Sequence, residues 1–295
     1  MKKLLFIYNP KAGKARIKYH LADIIDEFVR AGYEVTVSPT MACGDAEVMA
    51  SHVRDEYDMV VVSGGDGTLD EVVTGLMLSQ KKMPLGYIPT GSTNDFGTSL
   101  NLPKSMTEAA QVAVRGRDFV CDVGKFNDGY FVYVAAFGLF TQVTYETPQK
   151  DKNILGYAAY VLEGAKRLND IKTYNMKITH DGVTQEGEYL VGMVSNSNTV
   201  GGMKALTGNH VALDDGLFEV LLVKKPPYFI DVNGIIAALM DRNIDNPYVE
   251  SFHTESITFE CDSQVAWNLD GEFGGNASKA KIGIVHNGLT IRTSA

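Results

Sequence analysis

Residues 59–77 read MVVVSGGDGTLDEVVTGLM, and this stretch predicts the fold of the first part of the chain. The segment from Met59 to Ser63, apolar in its first four residues, is typical of a strand that is buried on both faces. After a glycine-rich loop, apolar residues recur from Leu69 at the three- and four-residue spacing of a helix. A strand, a tight loop and a helix in this order indicate a βαβ unit, in which the strands run parallel.

The same alternation of strand and helix patterns extends on both sides of that stretch. Further strands are predicted at residues 3–8, 33–37 and 85–88, and further helices at residues 17–28 and 45–56. We therefore predict an α/β domain with a mainly parallel sheet over residues 1–125.

Beyond about residue 118 the pattern changes to strands joined by turns. A helix is predicted at residues 156–168, and strands are predicted at residues 119–126, 130–136, 174–179, 188–195, 217–223, 256–260, 264–269 and 281–286. This succession indicates an antiparallel β domain, which we place at residues 126–287. The pair Asn287-Gly288 predicts a hairpin turn before a last strand. We allow that this strand, residues 288–295, returns to the first domain.

Charge and composition narrow the classes of partner. The formal net charge of -9 and the sequence pI of about 5.2 argue against a nucleic-acid-binding protein. Three widely spaced cysteines fit no zinc-site spacing and predict free thiols in a reducing compartment. The longest apolar stretch, Tyr130 to Phe140, is well short of the ~20 residues that span a bilayer. We therefore expect a cytoplasmic protein.

Three polar loops each follow a predicted strand of the α/β domain. They are residues 9–14, 63–68 and 89–96, and the second and third contain the carboxylates Asp66 and Asp95. Ligands bind beyond the carboxyl ends of parallel strands, so the three loops are expected to converge on one crevice. Glycine-rich backbone and helix N-termini suit phosphate oxygens, and carboxylates suit Mg²⁺.

Each loop taken alone also has an ordinary structural explanation. The first fits a strand-to-helix turn with solvated lysines, the second a tight turn with a capping aspartate, and the third a capped helix start. Three such loops at successive strand ends together favour a phosphate-binding site.

Two acidic sites lie at strand ends of the β domain. Asp270 and Glu272 are two residues apart, and a carboxylate there is suited to accept the proton of a phosphoryl-acceptor hydroxyl. The segment from Asp214 to Leu217 offers carboxylates and carbonyl groups that suit a hard cation. Both segments are also compatible with plain turns.

With these motifs in this order, the chain resembles the diacylglycerol kinase catalytic-domain family, in the bacterial branch that is similar to sphingosine and ceramide kinases. The resemblance covers nearly the whole chain. One departure is Ser92, where the family usually has threonine. The motifs are Asn9-Pro10-x-Ala12-Gly13, Gly64-Gly65-Asp66-Gly67-Thr68, Pro89-x-Gly91-Ser92-x-Asn94-Asp95-Phe96, Asp214-Asp215-Gly216-Leu217 and Asp270-Gly271-Glu272.

The resemblance implies an α/β ATP-binding domain followed by an antiparallel β-sandwich domain for the lipid substrate, with the active site in the cleft between them. It also implies ATP and Mg²⁺ as cofactors. The implied ATP contacts are Asn9, Pro10, Lys11, Ala12, Gly13, Thr40, Gly65, Asp66, Gly67, Thr68, Leu69, Asp70, Glu71 and Ser92.

The resemblance further implies roles for the acidic residues. Asp66 and Asp95, together with Asp122, would organise the active-site Mg²⁺ and its waters. Glu272 or Asp270 would accept the proton of the lipid hydroxyl. A second, structural Mg²⁺ would be held by Asp215 and the main-chain carbonyls of Ala212 and Leu217.

The implied activity is transfer of the γ-phosphate of ATP to a lipid hydroxyl, with diacylglycerol as the leading candidate. A lipid substrate implies transient contact with a membrane surface, for which the basic and aromatic segment 224–229 is a candidate. An exposed edge strand of the β domain would allow a homodimer.

Two other functions are compatible with the same motifs. NAD kinases share Gly-Gly-Asp-Gly-Thr, but they normally carry Asn-Glu where this chain has Asn94-Asp95, and they lack the terminal Asp-Gly-Glu. A catalytically silent lipid-binding or regulatory protein would be marked by loss of a metal or base carboxylate. Asp66, Asp95, Asp270 and Glu272 are all present, although intact residues do not by themselves prove turnover.

Overall fold

The computed structural model describes residues 1–53, 55–138, 172–197, 199–200, 203–204, 212–228, 231–241 and 246–294. The chain divides into two compact units. Unit 1 consists of Met1–Val123 and His286–Ala295, and unit 2 consists of Gly124–Val285. The helix predicted at residues 156–168 lies outside the described residues.

Unit 1 contains a parallel sheet with the strand order β4-β3-β1-β2. Strand β3 lies inside this sheet because it is apolar from Met59 to Val62, and all of residues 59–64 are buried. The strands are β1 (Lys2–Tyr8), β2 (Tyr33–Pro39), β3 (Met59–Gly64) and β4 (Leu85–Pro89), and the helices are α1 (Leu21–Arg30), α2 (Asp45–Ser51), α3 (Asp66–Ser79), α4 (Asp95–Ser99) and α5 (Met106–Arg115).

Three helices of unit 1 differ from their predicted bounds. Helix α1 begins at Leu21 instead of residue 17 and ends at Arg30 instead of residue 28, and Arg16–Tyr19 form a separate 3₁₀ helix. Helix α2 ends at Ser51, five residues before the predicted end at Glu56. Helix α3 begins at Asp66 instead of Leu69, because the Leu69 N–H already donates to the Gly65 carbonyl oxygen. Asp66 therefore lies in the first helical turn.

Unit 2 is built from antiparallel pairings. The elements from residue 117 onwards, two of which continue into unit 1, are β5 (Arg117–Phe126), β6 (Gly129–Phe131), β7 (Val134–Gly138), β8 (Tyr174–His180), β9 (Val183–Ser195), β10 (Thr199–Val200), β11 (Met203–Lys204), β12 (Phe218–Lys224), α6 (Asp231–Asp241), β13 (Val249–Thr254), β14 (Ser256–Leu269) and β15 (Glu272–Thr293). Strands β7, β9, β8 and β14 form a closed circuit, in which each strand pairs with two others of the four.

An aromatic cluster forms the centre of unit 2. Trp267 is 1% exposed, and its ring centroid lies 5.0 Å from that of Phe126, 5.1 Å from Phe137 and 5.3 Å from Phe259. Rings at these distances and tilted angles are favourably packed, so they hold the strands of unit 2 around one core.

The predicted hairpin at Asn287-Gly288 is wrong. Strand β15 continues through both residues, and its Ile291 pairs in parallel with Leu85 of β4. Asn287 has the positive φ of 53° that the Asn-Gly pair favours, and its N–H donates to Asp122 Oδ1 at 2.7 Å. The left-handed backbone conformation that Asn-Gly favours is therefore adopted within a strand and does not produce a hairpin. The chain continues in the same direction because β15 pairs with β4.

The strands predicted at residues 256–260 and 264–269 are one strand, β14. Its register with β15 shifts between Glu260 and Val265, which explains the interrupted apolar pattern. At one end of the unit 2 sheet, β13 pairs with β12 alone among the described strands. The homodimer suggested from an edge strand stays a prediction.

Among the helices in the described ranges, none combines the length and the apolar character that crossing a bilayer requires.

Candidate functional site

The three polar loops of unit 1 lie against one another. A Cβ atom on Gly13 would overlap the carbonyl oxygen of Thr90, and one on Gly91 would fall 2.5 Å from the Cα of Gly65. Asn9 Nδ2 donates to Thr68 Oγ1 at 3.2 Å. Glycine is required at these contacts because any side chain would separate the loops.

The first loop begins at the carboxyl end of β1. The Asn9 N–H donates to the Ser63 carbonyl oxygen at 2.8 Å, and Asn9 Oδ1 accepts from the Lys11 N–H at 2.9 Å. Pro10 and Ala12 are partly exposed, whereas Lys11 and Gly13 are exposed. Their placement beside the second and third loops leaves them accessible to a ligand.

Thr40 lies next to the first loop although it is distant in sequence. It follows β2, and its N–H donates to the Tyr8 carbonyl oxygen at 2.9 Å. Thr40 is 7% exposed. Parallel pairing of β1 with β2 thus brings this predicted nucleotide contact to the same edge of the sheet.

The second loop leads into the N-terminus of α3. Asp66, Gly67 and Asp70 are partly exposed. The first N–H groups of a helix have no partner within it and carry partial positive charge, which favours phosphate. Leu69 is 1% exposed, so its side chain belongs to the core.

The Glu71 side chain has a different position from the one expected of a nucleotide contact. One carboxylate oxygen accepts from the Gly44 N–H at 2.9 Å, and the other accepts from the Ala46 N–H at 3.1 Å. Glu71 thereby ties α3 to the start of α2. Its contact with ATP stays a prediction.

Asn94 organises the third loop. Its Oδ1 accepts from the Gly91 N–H at 2.9 Å, and its Nδ2 donates to the Gly91 carbonyl oxygen at 3.0 Å. Asp95, the next residue, begins α4 and is 3% exposed, while Ser92 is exposed.

Tyr87 is a site residue that sequence reasoning missed. Its side chain is 1% exposed, and its hydroxyl lies 3.4 Å from both the Gly64 carbonyl oxygen and Asn94 Oδ1. Burial raises the pKa of this hydroxyl well above its usual value, and the carboxylates of Asp66 and Asp95 raise it further. The available signal was a tyrosine in an otherwise apolar strand, since a buried hydroxyl needs a partner.

Asp66 and Asp95 begin α3 and α4, and the two loops that carry them are in contact at Gly65 and Gly91. Among the described residues, no three His, Cys, Asp or Glu side chains form a group that could hold a metal ion. Mg²⁺ does not require such a group, because it usually retains water and binds one or two carboxylates together with substrate phosphates. The pair of carboxylates therefore fits an Mg²⁺ ion that arrives with ATP.

Asp122 has partners on the C-terminal strand. It is completely buried, its Oδ1 accepts from the Asn287 N–H at 2.7 Å, and the same oxygen lies 2.9 Å from His286 Nδ1. Asp122 thus anchors β15 within unit 1. Its predicted part in organising Mg²⁺ stays a prediction.

Asp270 and Glu272 have contrasting surroundings in unit 2. Asp270 is 2% exposed, and its carboxylate accepts from the N–H groups of Val132, Tyr133 and Val134 at 2.5, 2.9 and 2.8 Å. Glu272 is exposed, and its carboxylate forms no hydrogen bond or ion pair with the described residues. Asp270 is therefore a structural acceptor, whereas Glu272 is accessible to a substrate.

The turn at Asp215 is followed by a buried carboxyl, Glu219 at the start of β12, which no sequence motif contains. Asp215 is exposed, and its Oδ1 accepts from the Leu217 N–H at 3.0 Å. Glu219 nearby is 1% exposed, and its Oε2 has no hydrogen-bond partner. Burial raises the pKa of Glu219 to about 8, opposed by its own backbone N–H and assisted by Asp215. A buried carboxyl beside an aspartate fits a cation at this turn, and the ligand roles of Asp215, Ala212 and Leu217 stay predictions.

Glu219 is expected to make the stability of the metal-free protein depend on pH. An unfolded glutamate loses its proton near pH 4.3, whereas folded Glu219 retains it to about pH 8. The unfolded state is therefore favoured as the pH rises between these values, by up to about 1.4 kcal/mol per pH unit. Thermal unfolding in EDTA from pH 5 to pH 8.5 should show that Glu219→Gln is stabilised relative to wild type only at the high end. Parallel curves for both proteins would contradict the assignment.

The segment proposed for membrane contact has its basic charges paired. Lys224 Nζ lies 2.5 Å from Glu250 Oε1, and Lys225 Nζ lies 2.9 Å from Glu188 Oε1. Tyr228 is 70% exposed, and residue 229 lies outside the described residues. The lysines are neutralised within unit 2, so attraction to anionic headgroups has little support from them.

Comparison with known proteins assigns both parts of the chain. Residues 3–126 match the diacylglycerol kinase catalytic domain. Residues 134–291 match the YegS C-terminal NAD kinase beta sandwich-like domain.

Proteins that are similar to this chain over most of its length are named diacylglycerol kinase. The protein from Bacillus subtilis (strain 168) is 34% identical over 277 residues, which are 93% of this chain and 91% of that protein. The protein from Staphylococcus carnosus (strain TM300) is 35% identical over 93% of this chain and 90% of its own length.

Solved structures share the fold over 99% of this chain. One from Bacillus anthracis str. Sterne has a TM-score of 0.85 and 26% identity, covering 99% of this chain and 97% of that chain. A structure of a diacylglycerol kinase from the same strain has a TM-score of 0.77 and 24% identity, and it also covers 99% of this chain and 97% of that chain. At this identity the similarity shows the fold alone. By its domain matches and its relatives of 34% and 35% identity, the chain belongs to the diacylglycerol kinase family.

Proposed function

We propose that this protein is a lipid kinase that transfers the γ-phosphate of ATP to the hydroxyl of diacylglycerol, giving phosphatidic acid, with Mg²⁺ as the metal. Membership of a kinase family supports ATP as the donor, and the names of the relatives support diacylglycerol as the acceptor. The structural observation that carries the proposal is the contact among three glycine-containing loops, two of which carry Asp66 and Asp95.

The loops of unit 1 would hold the nucleotide. The backbone around Gly13 and Gly65 is accessible to phosphate oxygens without obstruction from a side chain of its own. The N-terminus of α3 adds N–H donors and a favourable dipole. Thr40, at the end of the neighbouring strand, would contact the same nucleotide, and the exposed Ser92 would keep the hydroxyl that the family usually provides with threonine.

Asp66 and Asp95 would bind the Mg²⁺ ion directly or through water. When bound, the ion would neutralise negative charge on the phosphates during transfer. The protein supplies two carboxylates held at separate strand ends, and Asn94 fixes the loop that carries Asp95. Because the protein supplies only these two carboxylates, the remaining coordination positions of Mg²⁺ would be open to water and phosphate oxygens.

Glu272 is proposed as the base that accepts the proton of the lipid hydroxyl. A base needs a lone pair that is free to reach the substrate. The exposed Glu272 meets this requirement, whereas the Asp270 oxygens are occupied by three N–H donors. Asp270 would act indirectly by holding the strand end from which Glu272 projects.

The proposal is tested by transfer of labelled γ-phosphate from ATP, with Mg²⁺, to lipid alcohols in mixed micelles. The panel contains diacylglycerol, phosphatidylglycerol and a sphingoid base, with NAD⁺ as a parallel acceptor. We expect label on diacylglycerol and its loss when EDTA is added. Label on another lipid would support lipid kinase activity but would show that diacylglycerol is not the substrate.

Two outcomes of the same assay would reject the proposal. Label on NAD⁺ alone would identify an NAD kinase. Label on no acceptor, from protein whose thermal unfolding shows that it is folded, would favour a silent lipid-binding or regulatory protein.

A further inference from the structure

We propose that the Tyr87 hydroxyl is a positioning group for the cation site, joining the two loops that carry Asp66 and Asp95. The inference rests on the proposed function, because it assumes that these two carboxylates bind the metal. It assigns a role to a side chain of β4 that no motif contains.

The position of the hydroxyl supports the proposal. It lies 3.4 Å from the carbonyl oxygen of Gly64, two residues before Asp66, and 3.4 Å from Oδ1 of Asn94, immediately before Asp95. One proton is thus offered to acceptors in both loops. The distances exceed the ideal for an O–H···O bond, so each contact is weak and the group acts through both together.

The ring is held firmly beneath the loops. Tyr87 is 1% exposed, and a Cβ atom on Gly97 of α4 would lie 3.2 Å from Tyr87 Cε1 and 2.9 Å from Pro89 Cγ. The absence of a side chain at Gly97 therefore lets α4, which begins with Asp95, pack directly on the tyrosine. The ring and the hydroxyl determine how closely α4 approaches the second loop.

The hydroxyl is not needed to satisfy its acceptors. The Gly64 carbonyl oxygen already accepts from the Thr90 N–H at 2.8 Å, and Asn94 Oδ1 already accepts from the Gly91 N–H at 2.9 Å. Removing the hydroxyl therefore leaves both acceptors with a hydrogen-bond donor, so the free energy of unfolding should fall only slightly. The Thr90 N–H still joins the two loops. What is lost is the additional link through the tyrosine hydroxyl, and with it part of the constraint on the spacing of the two carboxylates.

Tyr87→Phe tests this role, with Tyr33→Phe as the matched control. Tyr33 is a second buried tyrosine of unit 1, 8% exposed, in the core on β2. Mn²⁺ is titrated into the full chain with a non-hydrolysable ATP analogue, and free Mn²⁺ is followed by EPR. The Mg²⁺ activation constant, kcat at saturating Mg²⁺ and the Tm are measured on the same proteins.

We expect Tyr87→Phe to weaken Mn²⁺ binding and to raise the Mg²⁺ activation constant, each about threefold to tenfold. We expect kcat at saturating Mg²⁺ and Tm to stay near wild type, and Tyr33→Phe to change neither metal constant. Unchanged Mn²⁺ binding in Tyr87→Phe would overturn the inference while leaving the lipid kinase intact. A large fall in Tm with normal Mn²⁺ binding would make the hydroxyl purely structural and would also overturn it. Failure of the lipid assay with the metal result as expected would reject the proposed function alone.

Discussion

Glu272→Gln is expected to lower kcat about a hundredfold to ten-thousandfold, the range that general-base catalysis contributes. The amide has the size of the carboxylate but does not accept a proton. Glu272 is exposed and its carboxylate forms no hydrogen bond or ion pair with the described residues, so Tm should stay near wild type. The measurement is lipid phosphorylation at saturating ATP and Mg²⁺, together with thermal unfolding. Glu186→Gln, an exposed glutamate of the same unit, is the control.

Asp270→Asn distinguishes the role of Asp270 from that of Glu272. An asparagine would direct an NH₂ group towards at least one of the N–H donors of Val132, Tyr133 and Val134. We expect a loss of about 3 kcal/mol in the free energy of unfolding, because buried donors are left opposed or unpaired. A stable Asp270→Asn protein without activity, together with an active Glu272→Gln protein, would reverse the assignment.

Asp66→Asn is expected to lower kcat about a thousandfold, the size of effect seen when a group that stabilises transition-state charge is removed. Asp66 is the first residue of α3 and the N-cap is Gly65, which has no side-chain cap, so α3 should still begin at this position. Loss of the negative charge at the helix N-terminus costs only about 0.3–1 kcal/mol. The change therefore removes charge from the cation site with little effect on the fold.

The control for Asp66→Asn is Asp23→Asn, an exposed aspartate in the first turn of α1 in the same unit. It removes the same charge at a remote position. The Mg²⁺ dependence of activity and Mn²⁺ binding with the ATP analogue should change only for Asp66→Asn. Normal turnover and normal Mn²⁺ binding in that variant would show that Asp66 does not bind the metal.

Local patterns were sufficient to predict the loops of unit 1. Apolar runs mark β1, β3 and β4, and glycine-rich segments follow them, so each loop is defined within about ten residues of sequence. The contacts between loops were not predictable in detail. Gly13 meets Thr90, and Gly65 meets Gly91, through backbone positions that depend on how three strands pair.

The motif Asp270-Gly271-Glu272 shows the limit of such prediction. From the sequence, both carboxylates were candidates for the base. The donors that occupy Asp270 come from residues 136 to 138 positions earlier in the chain. Pairing of β7 with β14 brings them together, and no local pattern encodes that pairing.

By itself, the sequence determined the order of strands and helices, the position of the polar loops and the carboxylates available for chemistry, because periodicity and glycine placement act over short distances. Only the tertiary structure decided which carboxylate is occupied and which is free, that Tyr87 lies beneath the loops, and that β15 continues through Asn287. These outcomes depend on strand pairing and burial between distant residues. Such pairing is selected by the free energy of the whole packed unit and not by any one segment.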